Sequence, residues 1–333
     1  MYAVIRSGST TVKTGFTPLT YTGTTDKTYT VTVSNYRDLT FSYWGGSSGS
    51  SNPRTVTLWG DTTAVAYYNK GTTSTSTSTS TTSTSKSSLI PKTGVMVALY
   101  MYPGSTGSTH WQKVIDEKNK HPSVPIVAIF NPSSGPGSSK DSNIANWVGK
   151  LKNAGVIAIG YIPDGYGDTK KPGTRTMTYM KDDIEKYYDW YGADGIFFDE
   201  FSNKVGYESR YRELTAYAKS FGMKLTVGNP GASGSESYVG TVDIHNITEG
   251  RGYIPEHWLQ NCTTCSTEQG WQHQHDKRNF AMIRYDITDL DKDFVKEASN
   301  WVGLMYITDG NDSNKRWMHV PPYFGEIMSV LAN

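Results

Sequence analysis

Apolar and polar positions divide the chain into three stretches. From residue 1 to about 70, short β-rich runs (Tyr29 to Val33, Leu39 to Trp44, Thr55 to Trp59, Ala64 to Tyr68) are separated by Gly, Ser, Asn and Asp. Thr30-Val31-Thr32-Val33 alternates residue by residue, the period of a strand with one buried face. This spacing predicts a small antiparallel β-sandwich over 1–70. Thr72 to Ser88 is Ser and Thr with a single Lys, has nothing to bury, and predicts a linker over 71–93. From Gly94 the pattern becomes strand then helix, repeated to the end of the chain. The predicted strands are Val95 to Met101, Val124 to Phe130, Val156 to Ile162, Gly195 to Asp199, Lys224 to Gly228, Val242 to Thr248, Phe280 to Tyr285 and Gly303 to Thr308. Helical stretches fall at Trp111 to Lys120, Asn143 to Asn153, Thr178 to Tyr191, Tyr207 to Phe221, Leu290 to Trp301 and Tyr323 to Leu331. Asp141 and Ser142 are expected N-caps, and Gly155 and Gly222 expected stops. Eight β/α units in about 240 residues match an α/β (β/α)8 TIM barrel. An open doubly wound sheet is the alternative, but no glycine-rich phosphate loop follows the first strand.

One strand organises the rest. Ala193-Asp194-Gly195-Ile196-Phe197-Phe198-Asp199-Glu200-Phe201 runs from small and apolar residues into two acids. In a barrel, that end of a strand faces the active-site mouth. Successive side chains alternate, so Asp199 and Glu200 point opposite ways, one to the barrel axis and one to the loop layer. The plainer reading is an acid pair capping a helix on an ordinary strand.

Composition narrows the classes. Lys+Arg is 32 and Asp+Glu 31, so no charge excess argues for nucleic acid or an anionic membrane surface. No run of about 18 apolar residues predicts membrane insertion. The start, Met1-Tyr2-Ala3-Val4-Ile5-Arg6, has no leader pattern, whereas a Ser/Thr tract typifies extracellular stalks. The linker therefore points to an extracellular or cell-surface protein whose chain begins after a removed leader or partway through a longer product. Aromatics make up 13%, including 23 Tyr and 9 Trp, which suits stacking on sugars and equally suits an aromatic core. Trp44 and Trp59 are expected to pack in the core of the first region.

The strand ends gather one kind of chemistry. They read Tyr100-Met101-Tyr102-Pro103-Gly104, Asn131-Pro132 with Ser134-Gly135-Pro136-Gly137, Gly160-Tyr161 with Tyr166-Gly167, Asp199-Glu200, Asn229-Pro230-Gly231, Thr248-Glu249 and Tyr306-Ile307-Thr308-Asp309. Each is compatible with turn chemistry alone. In order, the Asn131, Gly160, Asn229 and Glu249 segments together with Asp194 to Glu200 resemble the spherulin-4-type (spherulation-specific family 4) domain, which includes the glycoside hydrolases of family 135. The resemblance spans nearly all of residues 94 to 333. It implies a TIM barrel that cleaves partly N-acetylated α-1,4-galactosaminogalactan or a related amino-sugar polymer, with Asp199, Glu200 and Glu249 as the essential acids. Ile283-Arg284-Tyr285-Asp286 departs from it where a histidine is expected, and the loop Arg251 to Asn279 is long. The first region resembles the small repeat modules of secreted surface proteins, through Tyr29 to Val33, Phe41 to Trp44 and Ala66 to Tyr68.

Glycoside hydrolysis needs one protonated carboxyl for the leaving oxygen and one ionised carboxylate on the anomeric side. Asp199 is expected as nucleophile or stabiliser, and Glu249 as acid/base with its pKa raised by Ile247 and Tyr253. Glu200 would position the sugar or tune its neighbour. Retention, inversion and assistance by an N-acetyl group all fit. Tyr100, Tyr102, Tyr161, Tyr166 and Tyr306 are the expected sugar contacts, and Asn131, Asn229 and Asp309 the expected hydrogen-bonding partners. No cofactor and no metal are required. Cys262-Thr263-Thr264-Cys265 with His273 and His275 is zinc-like, but two-residue His spacing is short, and a local disulfide is preferred. Asn261, Asn311 and Asn246 begin glycosylation sequons, the last expected to be buried in a strand. The competing readings are a non-catalytic glycan-binding surface protein, and a galactosaminidase of the neighbouring family 114 type. A degenerate barrel would have lost at least one of the three acids, which favours an enzyme.

Overall fold

Runs such as Gly94-Val95-Met96-Val97-Ala98-Leu99 have no polar face to offer water and need cover on both sides. A computed structural model of the chain describes residues 1–35, 39–44, 51–70, 89–168, 173, 175–255, 271–311 and 316–333. It divides into two compact units, Met1–Thr82 and Ser83–Asn333. The Ser/Thr tract lies outside the described residues.

In the first unit, β1 (Tyr2–Ser7), β2 (Thr10–Phe16), β3 (Thr28–Val33) and β5 (Arg54–Thr57) form an antiparallel sheet in the order β2-β1-β3-β5. β4 (Leu39–Trp44) pairs separately with β6 (Ala66–Lys70). Ala3, Val33 and Trp44 form a buried core, against which Val31, Phe41, Ala66 and Tyr68 pack, so both sheets contribute to it. The β1–β2 hairpin was not among the predicted strands. Tyr2-Ala3-Val4-Ile5 is buried throughout and so lacks the alternation that marks a one-faced strand. Trp44 is in the core, and its indole N–H donates to the Ser51 carbonyl at 3.0 Å. Trp59 corrects the expectation: β5 ends at Thr57, and the indole beyond it is 77% exposed.

In the second unit, the strands are β7 (Gly94–Leu99), β8 (Ile126–Phe130), β9 (Ile157–Pro163), β10 (Gly195–Asp199), β11 (Leu225–Gly228), β12 (Ile244–Arg251), β13 (Phe280–Tyr285) and β14 (Leu304–Ile307). All eight are parallel and close into a barrel, β7 pairing with both β8 and β14. The helices are α1 (Gly107–Lys120), α2 (Ser142–Asn153), α3 (Met177–Tyr191), α4 (Glu208–Ser220), α5 (Lys292–Ala298) and α6 (Phe324–Ala332). Their caps are written in the sequence. Asp141 accepts from the N–H groups of Asn143 and Ile144, Thr176 from Tyr179, and Asp291 from Asp293 and Phe294. Single 3₁₀ turns (Glu236–Tyr238, Trp271–Gln274, Lys277–Asn279) stand in the β11–β12 and β12–β13 connections.

One irregularity positions the site. β12 runs to Arg251, three residues past its predicted end, and its register against β13 shifts between Asn246 and Thr248. Asn246 pairs with Ala281 and Thr248 with Met282, so Ile247 is an extra residue. In a regular strand, Asn246 and Glu249 would face opposite sides; the bulge puts them on one face.

Candidate active site

Three neighbouring strands build the site. Asp199 closes β10, Asn229 follows β11 and Glu249 lies near the end of β12, so Asn229 stands at the tip of the middle strand. Its amide reaches both ways. Asn229 Nδ2 donates to Asp199 Oδ1 at 2.9 Å and to Glu249 Oε2 at 2.8 Å. The two hydrogens of one amide diverge by about 120°, which holds those carboxylate oxygens roughly 5 Å apart. Asn229 Oδ1 accepts from the Gly231 N–H at 3.1 Å and from Asn246 Nδ2 at 2.8 Å. On the other side of β10, Phe197 pairs with Tyr161 of β9, whose hydroxyl donates to Asp199 Oδ2 at 2.8 Å. Gly228 lets the Asn229 turn close, because a Cβ there would sit 2.7 Å from the Phe201 ring.

Burial sets the charge states. It pushes Asp199 up to about 6, opposed by the Tyr161 hydrogen bond and reinforced by the charge of Glu249. Burial also raises Glu249, held back first by Asn229 and then by Arg316 and Arg284. Arg316 Nη1 is 4.0 Å from Glu249 Oε1, too far for a hydrogen bond. Its guanidinium lies 3.6 Å over the Tyr285 ring. The expected neighbour Tyr253 is elsewhere, 4.6 Å from Phe294 and bonded to the Asp289 carbonyl.

Glu200 lies just beyond the end of β10, so strand alternation does not set its direction. It takes a left-handed backbone, φ 50°, which only surrounding structure can hold. The loop after β9 holds it. Gly165 N–H donates to Glu200 Oε2 at 3.1 Å, and Tyr166 N–H to the Glu200 carbonyl at 2.6 Å. The preceding Asp164 N–H donates to the Asp199 carbonyl at 2.9 Å. Asp164 is itself fully buried; Arg210 Nε lies 3.0 and 3.2 Å from its two oxygens, and the Tyr211 hydroxyl donates at 2.5 Å. Ser134, Tyr166 and Asp286 share the left-handed conformation in loops that follow β8, β9 and β13, so backbone strain collects at this rim.

The other predicted residues divide into near and diverted. Tyr100 lies 5.1 Å from Tyr161 and 6.4 Å from Trp317, and burial followed by the Asp199 charge pushes its hydroxyl well up. Tyr166 is 51% exposed, and its hydroxyl is raised by burial and then by the charges of Glu200, Asp199 and Glu249. Tyr306 corrects an expectation: it is 3% exposed behind Trp317, stacked at 5.6 Å, and offers no open platform. Asn229 is a second correction, since both its N–H groups are taken by the acids. Asp309 Oδ1 faces His319 Nε2 at 2.7 Å, and Asn131 Oδ1 accepts from Gly135 N–H at 3.1 Å. Tyr102 is 55% exposed and shares a small hollow with Tyr100 and Asn131. Arg316, Trp317, Asn246 and Asp164 were missed. Asn246 was legible only as a buried sequon, and it is indeed fully buried. Cys262 and Cys265 lie outside the described residues. His273 and His275 diverge, the first 4.7 Å from Trp301 and the second bonded to Glu236 Oε1 at 3.1 Å. Among the described residues, no group of His, Cys, Asp and Glu could hold a metal.

Comparison with known proteins places this arrangement. The profile of spherulation-specific family 4 matches residues 94–331, the whole strand–helix repeat. The chain belongs to this family. Spherulin-4 of Physarum polycephalum is 29% identical over 223 residues, 65% of this chain and 63% of that protein. The chain thus spans less than two thirds of its relative's length. Among solved structures, Aspergillus clavatus Sph3 in complex with GalNAc superposes with a TM-score of 0.59 at 22% identity, over 73% of this chain and 98% of that one. That likeness shows a common fold, the closed parallel barrel with its helices.

Proposed function

We propose that the barrel is a glycoside hydrolase acting on an amino-sugar polysaccharide of the α-1,4-galactosaminogalactan kind, at the cell surface or outside it. The observation that carries this is the single amide of Asn229 holding Asp199 and Glu249 roughly 5 Å apart. That spacing suits a retaining glycosidase, whose carboxyls stand about 5 to 5.5 Å apart, and is shorter than the about 6.5 to 9.5 Å of an inverting enzyme. The two acids compete for one proton, and the hydrogen bonds locate it. Both oxygens of Asp199 accept, from Asn229 and from Tyr161, so Asp199 is the ionised partner. Among the described residues Glu249 Oε1 has no donor within bonding distance, which leaves Glu249 to act as the acid of the pair once Asp199 is ionised above about pH 6. In the first step, Asp199 attacks the anomeric carbon while the Glu249 proton passes to the leaving oxygen. In the second, Glu249 takes a proton from water, whose oxygen displaces Asp199 and releases the sugar. Tyr100 and Tyr166 are the stacking surfaces open to a sugar ring beside these acids. The choice of amino sugar rests on the family and on the GalNAc bound to Sph3.

Incubation with a panel of amino-sugar polymers, reading new reducing ends, tests the reading. Glu249→Gln should regain first-step cleavage on a substrate with an activated leaving group, and Asp199→Asn should not. Binding of every polymer without any new reducing ends would instead make the barrel a glycan-binding module.

A further inference from the structure

We infer that Asn246 is a positioning residue that holds Asp199 and Glu249 at their working separation by fixing the orientation of the Asn229 amide. This rests on the reading of those two acids as the reacting pair. An asparagine amide can turn over and exchange its oxygen for its nitrogen with little change of shape. Turned over, Asn229 would present Oδ1 to two carboxylates and its N–H groups to two other donors. The donors that forbid this are the Gly231 N–H at 3.1 Å and Asn246 Nδ2 at 2.8 Å. Asn246 is the shorter contact and, among the described residues, the only side chain in that role. It reaches Asn229 because the extra residue Ile247 turns Asn246 onto the face of Glu249. The arrangement leaves a mark: Asn246 is fully buried, and its Oδ1 has no partner among the described residues. A buried amide with an orphaned oxygen is unfavourable relative to an apolar side chain of similar shape. What the residue supplies in return is the N–H directed at Asn229. Among the described residues it is hydrogen-bonded to neither acid, so its hydrogen-bonding effect passes through Asn229.

The charged and titratable groups facing the pair come from several elements. Tyr161 of β9, Tyr100 after β7, and Tyr166 and Glu200 lie around Asp199; Arg316 and Arg284 lie near Glu249. Among the described residues, none of them is hydrogen-bonded to the Asn246 side chain. The test is a carbon-13 carboxyl titration of the full chain by NMR, with the two acids assigned through Asp199→Asn and Glu249→Gln. Asn246→Leu removes the amide at similar volume, and Asn246→Ser provides a second variant should the first not fold. The Asp199 midpoint should rise by about one pH unit, the loss of one charge-directed hydrogen bond. Asn229→Ala should raise it at least as far, and the double variant should match Asn229→Ala alone, because one residue acts through the other. Turnover should fall about tenfold with KM unchanged. An unmoved midpoint in the Asn246 variants, or strictly additive shifts in the double variant, overturns the inference. A moved midpoint in a chain that cleaves no amino-sugar polymer supports the positioning role and overturns the glycosidase reading instead.

Discussion

Two groups of buried acids stand near the ends of neighbouring barrel strands, and they are held in opposite ways. Asp199 and Glu249 are met by neutral donors, the Asn229 amide and the Tyr161 hydroxyl, with Arg316 kept 4.0 Å off. Asp164 and Asp183 are met by guanidinium groups, Arg210 and Arg175. Burial alone does not separate the two groups, because Asp183 is pushed up to about 6 just as Asp199 is. The partner separates them. A guanidinium in direct contact fixes the carboxylate as an anion and occupies its oxygens. A shared amide brings no fixed positive charge, and among the described residues it leaves Glu249 Oε1 without a donor. The first arrangement is a strut, and the second is the one proposed above as the reacting pair. They are joined, since Asp164 anchors the loop whose N–H groups hold Asp199 and Glu200 in place.

Breaking each group should give different signatures. The largest effect is expected at the working pair. Asp199→Asn and Glu249→Gln should each lower turnover by about 10² to 10⁴ or more on the native polymer while polymer binding persists. Near-normal turnover by Asp199→Asn would remove β10 from the centre of the enzyme. Next is the strut. Arg210→Met leaves Asp164 buried without its cation and should destabilise the second unit by about 3 to 5 kcal/mol in urea unfolding. Its loss of activity should follow its loss of folded protein. A folded, fully stable Arg210→Met with normal turnover would show that the strut does not support the acids.

The barrel was legible because its signals are long and periodic. Apolar runs of strand length alternate with capped helical stretches, and Gly195–Asp199 and Phe280–Tyr285 match their predicted bounds. Asp199 and Glu249 were legible as carboxylates at the C-terminal ends of strands. What was not legible depends on geometry that no local pattern encodes. The bulge at Ile247 inverts the faces of β12 beyond it, so nothing in Asn246-Ile247-Thr248-Glu249 announces that Asn246 joins the site. Arg316 and Trp317 lie in an aperiodic stretch after β14, and only the path of that stretch back over the ends of β12 to β14 brings them beside Glu249 and Tyr306. Asn229 was found for its position and misread in its role, because a hydrogen-bonding side chain at a rim looks the same whether it meets sugar or acid. Trp59 was misplaced because its strand stops two residues earlier than its composition implies.

The smallest expected effect sharpens the comparison most, because it reads the burial of Asp199 without any substrate. The ordinary carboxyl of an unfolded aspartate titrates near about 3.9, whereas Asp199 is raised to about 6 in the fold. Below about pH 3 the group is protonated in both states and carries no penalty. As pH rises toward 6, the unfolded chain releases this proton and the folded chain keeps it, so stability is lost across that window. Above about pH 7 the loss is complete and amounts to roughly 3 kcal/mol. Asp199→Asn does not titrate there. Asp183 titrates in both proteins and cancels. The variant's stability relative to the parent should therefore grow by about 2 kcal/mol between pH 4 and pH 6.5 and then level off, as read by urea unfolding at four pH values. A difference that stays flat across that range would mean that Asp199 titrates like an exposed aspartate, and the contrast between an amide-held pair and an arginine-held strut would lose its physical basis.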